Sequence, residues 1–100
     1  GVLHGGVIAT LLDASCGYAA TWSGDPAKPK AAVTLSLTVS YTGQVKEGVV
    51  RATALMKAGG RKIVFCTGEV RDAAGNLIGM GEGSFRFRSG SERDRPVASA

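Results

Sequence analysis

A change of hydrophobic period near residue 30 limits the fold of this chain more than any other feature. Before it lies HGGVIATLLDASCGYAA, His4 to Ala20, rich in Ala, Leu and Ile. This stretch is predicted to be a helix, with Gly5 and Gly6 at its front and an end near TWSGD. The Pro-containing stretch GDPAKPKA then reads as a loop. After it, in VTLSLTVSY, Val33, Leu35, Leu37, Val39 and Tyr41 alternate with Thr34, Ser36, Thr38 and Ser40, the pattern of a half-buried strand. VVRATALMKA, IVFCTGEVRD and LIGMGEGSFRFR are predicted as three more strands, joined by TGQVKEG, GGRK and AAGN. Short links favour antiparallel pairing. The predicted class is α+β, one antiparallel sheet with one helix packed on it.

The length, 100 residues, allows a single domain. It is expected to span residues 1–88, with 89–100 a polar, disordered tail. Gly79, Gly81 and Gly83 fall on one face of the last strand, as a helix pressed into the sheet requires; a weak, bent edge strand is the competing reading. No apolar run approaches the roughly 18 residues of a membrane span. Two cysteines, Cys16 and Cys66, lack metal-ligand spacing and read as buried thiols in a reducing cytoplasm. The net charge of +4 comes from scattered basic residues. It suits a polyphosphate-bearing small molecule, and nothing but the charge speaks for nucleic acid.

The helix carries the chemistry. On a wheel, Val7, Ile8, Leu11, Leu12, Tyr18 and Ala19 form the face expected to meet the sheet. Asp13 falls on the other side, among Ala9, Thr10, Cys16, Gly17 and Ala20, and the stretch contains no Lys, Arg or Glu. A solvated helix face normally carries long charged residues. The second face is therefore expected to meet a second body, which points to a homodimer. An ordinary hydrogen-bonded or solvated acid remains the alternative for Asp13. At the helix front, Gly5 and Gly6 leave backbone N–H groups unshielded, and such donors stabilise an oxyanion. A tight turn capped by His4 is the plainer reading. His4 is the only histidine, so a His-rich metal site is excluded, and a Ser–His–Asp triad has no GxSxG elbow behind it.

GVLHGGVIATLLDA, followed by VTLSLTVSYTGQVKEG and two hairpin-linked strands, resembles the hotdog-fold acyl-CoA thioesterases over nearly all of residues 1–88. Within them it is most similar to the phenylacetyl-CoA thioesterase (PaaI-type) branch, which includes thioesterase superfamily member 2. The resemblance implies the hotdog fold, a long central helix wrapped by an antiparallel β-sheet. It implies edge-to-edge homodimers that pair into tetramers, with active sites at the dimer interface. It implies hydrolysis of an acyl- or aryl-CoA to the free acid and CoA. The Gly5 N–H would bond the thioester carbonyl, and Asp13 from the other subunit would act as general base or nucleophile. Thr34 would help place the water, and His4 would shape the loop. Gly6 is grouped with the CoA-contacting residues. Lys57, Gly60, Arg61 and Lys62, around the GGRK turn, would reach the CoA phosphates, and a solvated turn is the alternative there. Arg86 and Arg88 are weaker candidates. No cofactor beyond CoA, which is part of the substrate, no metal, no membrane and no nucleic acid are expected, and the location is expected to be cytoplasmic. Relatives carry an Asn and a further segment before the HGG; those positions would precede Gly1, so an N-terminal segment is expected to be missing. The rival functions are a hotdog dehydratase or hydratase and a non-catalytic acyl-CoA-binding protein.

Overall fold

The computed structural model describes residues 5–22, 30–44 and 48–97. One helix, α1 (Gly5–Thr21), precedes four strands: β1 (Ala32–Tyr41), β2 (Val50–Gly59), β3 (Ile63–Asp72) and β4 (Leu77–Phe87). The strands form one sheet in the order β1-β4-β3-β2, and all three pairings are antiparallel. Two tight turns create β2–β3 and β3–β4. At the first, Gly59 has φ +135, and a Cβ there would lie 2.5 Å from the Ile63 carbonyl oxygen, so only glycine fits. At the second, Asp72 Oδ1 accepts the backbone N–H groups of Ala74 and Asn76 at 3.0 and 2.8 Å. These bonds, with that from the Asn76 side chain, hold the Asp72 carboxyl below its usual range. That is the Asx-turn chemistry that makes Asp a turn residue.

The helix lies on one face of the sheet through a single ridge, Ile8, Leu12, Cys16 and Ala20, all buried. This differs from the stripe expected from the sequence, in which Val7 and Tyr18 faced the sheet. Those two are 43% and 65% exposed, while Cys16 and Ala20 belong to the core. The reason is steric fit rather than hydrophobic bulk. A Cβ on Gly79 would lie 2.6 Å from Ile8 Cγ2, and one on Gly68 would lie 3.1 Å from both Leu12 Cδ2 and Cys16 Sγ. Gly81 likewise faces Leu12, at 3.5 Å. The strand glycines thus receive the helix at Gly79 and Gly81, as their spacing predicts. A Cβ on Gly83 would instead meet the Phe85 ring. Towards the helix C-terminus, Phe85 and Phe87 fill the interface, and small helix residues must face them.

The polar stretch after Phe87 differs from the disordered tail expected from the sequence. Arg88 N–H donates to the Ala31 carbonyl, Arg93 N–H to Arg61 and Val97 N–H to Gly59. Lys30 Nζ donates to the Ser91 and Glu92 carbonyls at 3.2 and 3.0 Å, and Ser91 is buried. Residues 88–97 therefore form a strap across the β2–β3 turn, with Val97 packed on the core. Backbone hydrogen bonding holds this strap, and composition carries no signal for it.

Candidate active site

Asp13 lies on the flank of α1 that faces β1, next to the buried ridge. Its Oδ1 accepts a hydrogen bond of 2.9 Å from Thr34 Oγ1. Among the described residues this is the only hydrogen bond that the Asp13 side chain makes. Two residues singled out from sequence thus meet within one chain. Asp13 is also close enough to Cys16 to add, after burial, to the rise of that thiol's pKa.

Strict alternation in β1 does not bring Thr34 to Asp13. It would put Thr34 and Ser36 on the same face of the sheet. The register contains a bulge: Thr34 pairs with Phe85, but Ser36 pairs with Ser84, leaving Leu35 as the extra residue. Phe85 faces the helix, so Thr34 does too. Ser36 faces the outer side, where its hydroxyl is 2.6 Å from that of Ser84. A bulge re-aims the side chain beside it by one face. In the alternating sequence this extra residue is invisible.

Gly5 is the first residue of α1. The Tyr41 ring closes against it, 3.1 Å from where a Gly5 side chain would begin. The Gly6 carbonyl accepts a hydrogen bond from Thr10 Oγ1 at 2.8 Å. His4 lies outside the described residues. Eight residues separate Gly5 from Asp13, a distance of about 12 Å along the axis at about 1.5 Å per residue. Gly5 and Asp13 of one chain are therefore too far apart to act on the same atom.

The structure splits the residues assigned to CoA phosphates. Lys57 is the extra residue of a second bulge, in β2, and borders a small hollow of about 200 Å³ on the outer face with Phe65, Thr67 and Glu82. Gly60 N–H is used in the turn, donating to Ile63. Arg61 Nε donates to the Arg93 carbonyl at 2.8 Å and so serves the strap. Lys62 instead joins Arg86 and Arg88 around a cavity of about 610 Å³, which Val33 and Glu92 also line. Glu92 was not singled out in the sequence, and Arg86 and Arg88 only weakly. The signal for the arginines is their alternation with Phe85 and Phe87, which sets them off the buried face. Hydrogen bonds from the backbone N–H groups of Glu92 itself and Gly90 hold the Glu92 carboxyl below its usual range, and Lys62 and Arg61 add to this.

The other flank of α1 faces β2. There Ala14 and Tyr18 from the helix, Trp22 just after it and Ala52 and Ala54 from β2 line an apolar groove of about 520 Å³. The exposed side of the helix, Gly6, Val7, Thr10, Ala14 and Tyr18, carries no charge. Among the described residues, no group of three or more His, Cys, Asp and Glu could hold a metal ion, and no helix is long and apolar enough to cross a membrane.

A helix seated on a four-stranded antiparallel sheet is the hotdog arrangement. The profile of the thioesterase superfamily matches residues 1–78, and the chain belongs to that superfamily. Among curated proteins, none matches the chain. Among solved structures, the BH2602 protein of Bacillus halodurans, crystallised with CoA, is 30% identical with a TM-score of 0.78 over 87% of this chain and 60% of its own. Thioesterase superfamily member 2 of zebrafish is 30% identical, with a TM-score of 0.72 over 87% of this chain and 62% of its own. The thioesterase HI1161 of Haemophilus influenzae is 25% identical, with a TM-score of 0.79 over 88% of this chain and 60% of its own. The chain thus spans 60%, 62% and 60% of the length of these three structures.

Proposed function

We propose that the chain forms the hydrolytic body of an acyl-CoA thioesterase that works as a homodimer. The observation that carries this reading is the Thr34–Asp13 hydrogen bond, which fixes one carboxylate oxygen on a helix without any other charge. Thr34 occupies Oδ1, so Oδ2 is available to take a proton from water. That water attacks the thioester carbon, the carbonyl oxygen becomes an oxyanion, and the Gly5 end of α1 stabilises it through the positive end of the helix dipole and the backbone N–H of Gly5. Collapse of the intermediate breaks the C–S bond. The CoA thiolate leaves and takes up a proton, and the acyl group leaves as the carboxylic acid. The step uses no resident cofactor, because CoA arrives as part of the substrate.

A reacting carbon must lie about 3 Å from both donor and nucleophile. The separation of Gly5 and Asp13 along α1 therefore favours a site built from Gly5 of one protomer and Asp13 of its partner. The uncharged outer side of the helix supports the same assembly, and pairing of such dimers into tetramers extends it. The CoA in the Bacillus halodurans relative supports the substrate class. Two free cysteines accord with a cytoplasmic location.

The test is steady-state release of CoA thiol from a panel of acyl- and aryl-CoA esters. Asp13→Asn should lower kcat by about 10²–10⁴ with the oligomer intact. Thr34→Val should lower it by about tenfold or more through loss of a hydrogen bond to a charged group. Near-normal turnover by Asp13→Asn on the best ester sinks the mechanism.

A further inference from the structure

Lys62 and residues 86–92 bring three cations and one carboxylate to a single cavity. Lys62 comes from the β2–β3 turn, Arg86 from β4, and Arg88 and Glu92 from the strap. The position of each is set by backbone bonds. Phe87 N–H donates to the Lys62 carbonyl at 2.8 Å, which locks the turn against the end of β4. Arg88 N–H donates to Ala31 at 2.9 Å, which locks the strap against the start of β1. Ser91, buried, accepts the Ala31 N–H with its hydroxyl at 2.9 Å, and Lys30 holds the Ser91 and Glu92 carbonyls. Glu92 Oε1 accepts the Gly90 N–H, which holds its carboxyl at the cavity that the three cations line. None of the three cavity cations has an ion-pair partner within 4.0 Å among the described residues, where the one such pair is Arg71 with Glu69. The cavity begins at Val33, the neighbour in sequence of Thr34, so it lies at the same end of the sheet as Asp13.

We propose that the cavity of Lys62, Arg86 and Arg88 receives phosphate groups of the substrate, and that Glu92, carried by the C-terminal strap, is a built-in counter-anion that weakens their binding. The inference rests on the acyl-CoA reading above and adds to it the residues that set affinity for the charged end of the substrate. Two arginines offer planar forks suited to phosphate oxygens, and Lys62 adds a compact charge. Without a ligand, Glu92 offsets part of the positive field. When a phosphate enters, it meets the same cations against the repulsion of that carboxylate. The strap thereby limits product retention: CoA, which keeps every phosphate after hydrolysis, is held less tightly than the three cations alone would hold it. Arg61, tied to Arg93, contributes its charge from the rim and keeps the strap in place.

The experiment compares an acyl-CoA with the matching acyl-pantetheine, which has the thioester but no phosphate. Glu92→Gln keeps an acceptor for the Gly90 N–H and removes the charge. It should lower KM for the acyl-CoA by about two- to fivefold, the scale of an exposed charge pair. It should also tighten CoA binding, measured by calorimetry, to the same extent. The Arg86→Gln/Arg88→Gln double variant should raise both constants at least about tenfold. Neither variant should change kcat/KM for the acyl-pantetheine or the melting temperature appreciably. Unchanged KM and CoA affinity in Glu92→Gln overturn the counter-anion, and equal effects on the two substrates overturn the phosphate assignment. Failure of the hydrolytic reading looks different: Asp13→Asn then turns over normally, while CoA calorimetry still reports on the cavity.

Discussion

Ile8 and Leu12, in the first half of α1, press large side chains onto strand positions that have none, whereas Cys16 and Ala20, in the second half, lie against Phe85 and Phe87. In the first half the sheet yields and in the second half the helix does. The two clusters meet between Leu12 and Cys16, and Asp13 sits at that junction on the side of β1. The contrast teaches that the rotation of the helix is set by paired volumes and not by the size of the helix residues alone. Had the helix turned to bury Val7 and Tyr18, Asp13 would have moved away from Thr34. Core packing and the candidate site are thus one geometric decision.

The contrast can be broken most forcefully on the aromatic side. Phe85, 2% exposed, fills the half where the helix is small, and Phe85→Ala should cost about 3–5 kcal/mol in chemical denaturation. A loss below about 1 kcal/mol would mean that this half is not held by the ring. On the glycine side, Gly79→Ala should cost about 1–3 kcal/mol, because its Cβ would meet Ile8. In an Ile8→Ala background that cost should largely vanish, and a double-mutant cycle without coupling would refute the pairing. A smaller effect sharpens the junction itself. Burial, and then the neighbouring Cys16, push the Cys66 thiol from 9.0 up to about 11. The unfolded chain therefore loses this proton at lower pH than the folded chain. Stability should hold up to pH 9 and fall between pH 9 and about 11 through this thiol, and Cys66→Ala should remove that part of the decline in melting temperature. A pH profile identical in the variant would show that the thiol does not titrate in this way.

Much of the fold is legible in the sequence because the signals are local. Period 3.6 before residue 22 and period 2 after residue 31 give one helix and four strands with boundaries within about two residues of those observed. Asp13 stands out as a lone charge, and the glycines of β4 mark the close approach of the helix. Lys57 and Lys62 look like one basic turn in sequence, but a bulge at Lys57 sends them to different hollows. Glu92 and its strap leave no hydrophobic pattern, because hydrogen bonds to Ala31, Gly59 and Arg61 hold that segment.

What the sequence alone determined is the set of elements, their antiparallel pairing and the isolation of one carboxylate on an otherwise uncharged helix. These follow from periodicity and composition, which a chain carries without reference to distant parts of itself. The place of β1 beside β4 and not beside β2 came from the tertiary structure. Only the tertiary structure decided that Thr34 reaches Asp13, that Cys16 and Ala20 rather than Val7 and Tyr18 face the sheet, and that Arg86 and Arg88 share a cavity with Lys62. Alternation is blind to a single inserted residue such as Leu35, since both faces of β1 still read polar and apolar in turn. A helical wheel weighs hydrophobicity but not the space its residues must fill, and here that space was set by glycines and phenylalanines more than fifty residues away.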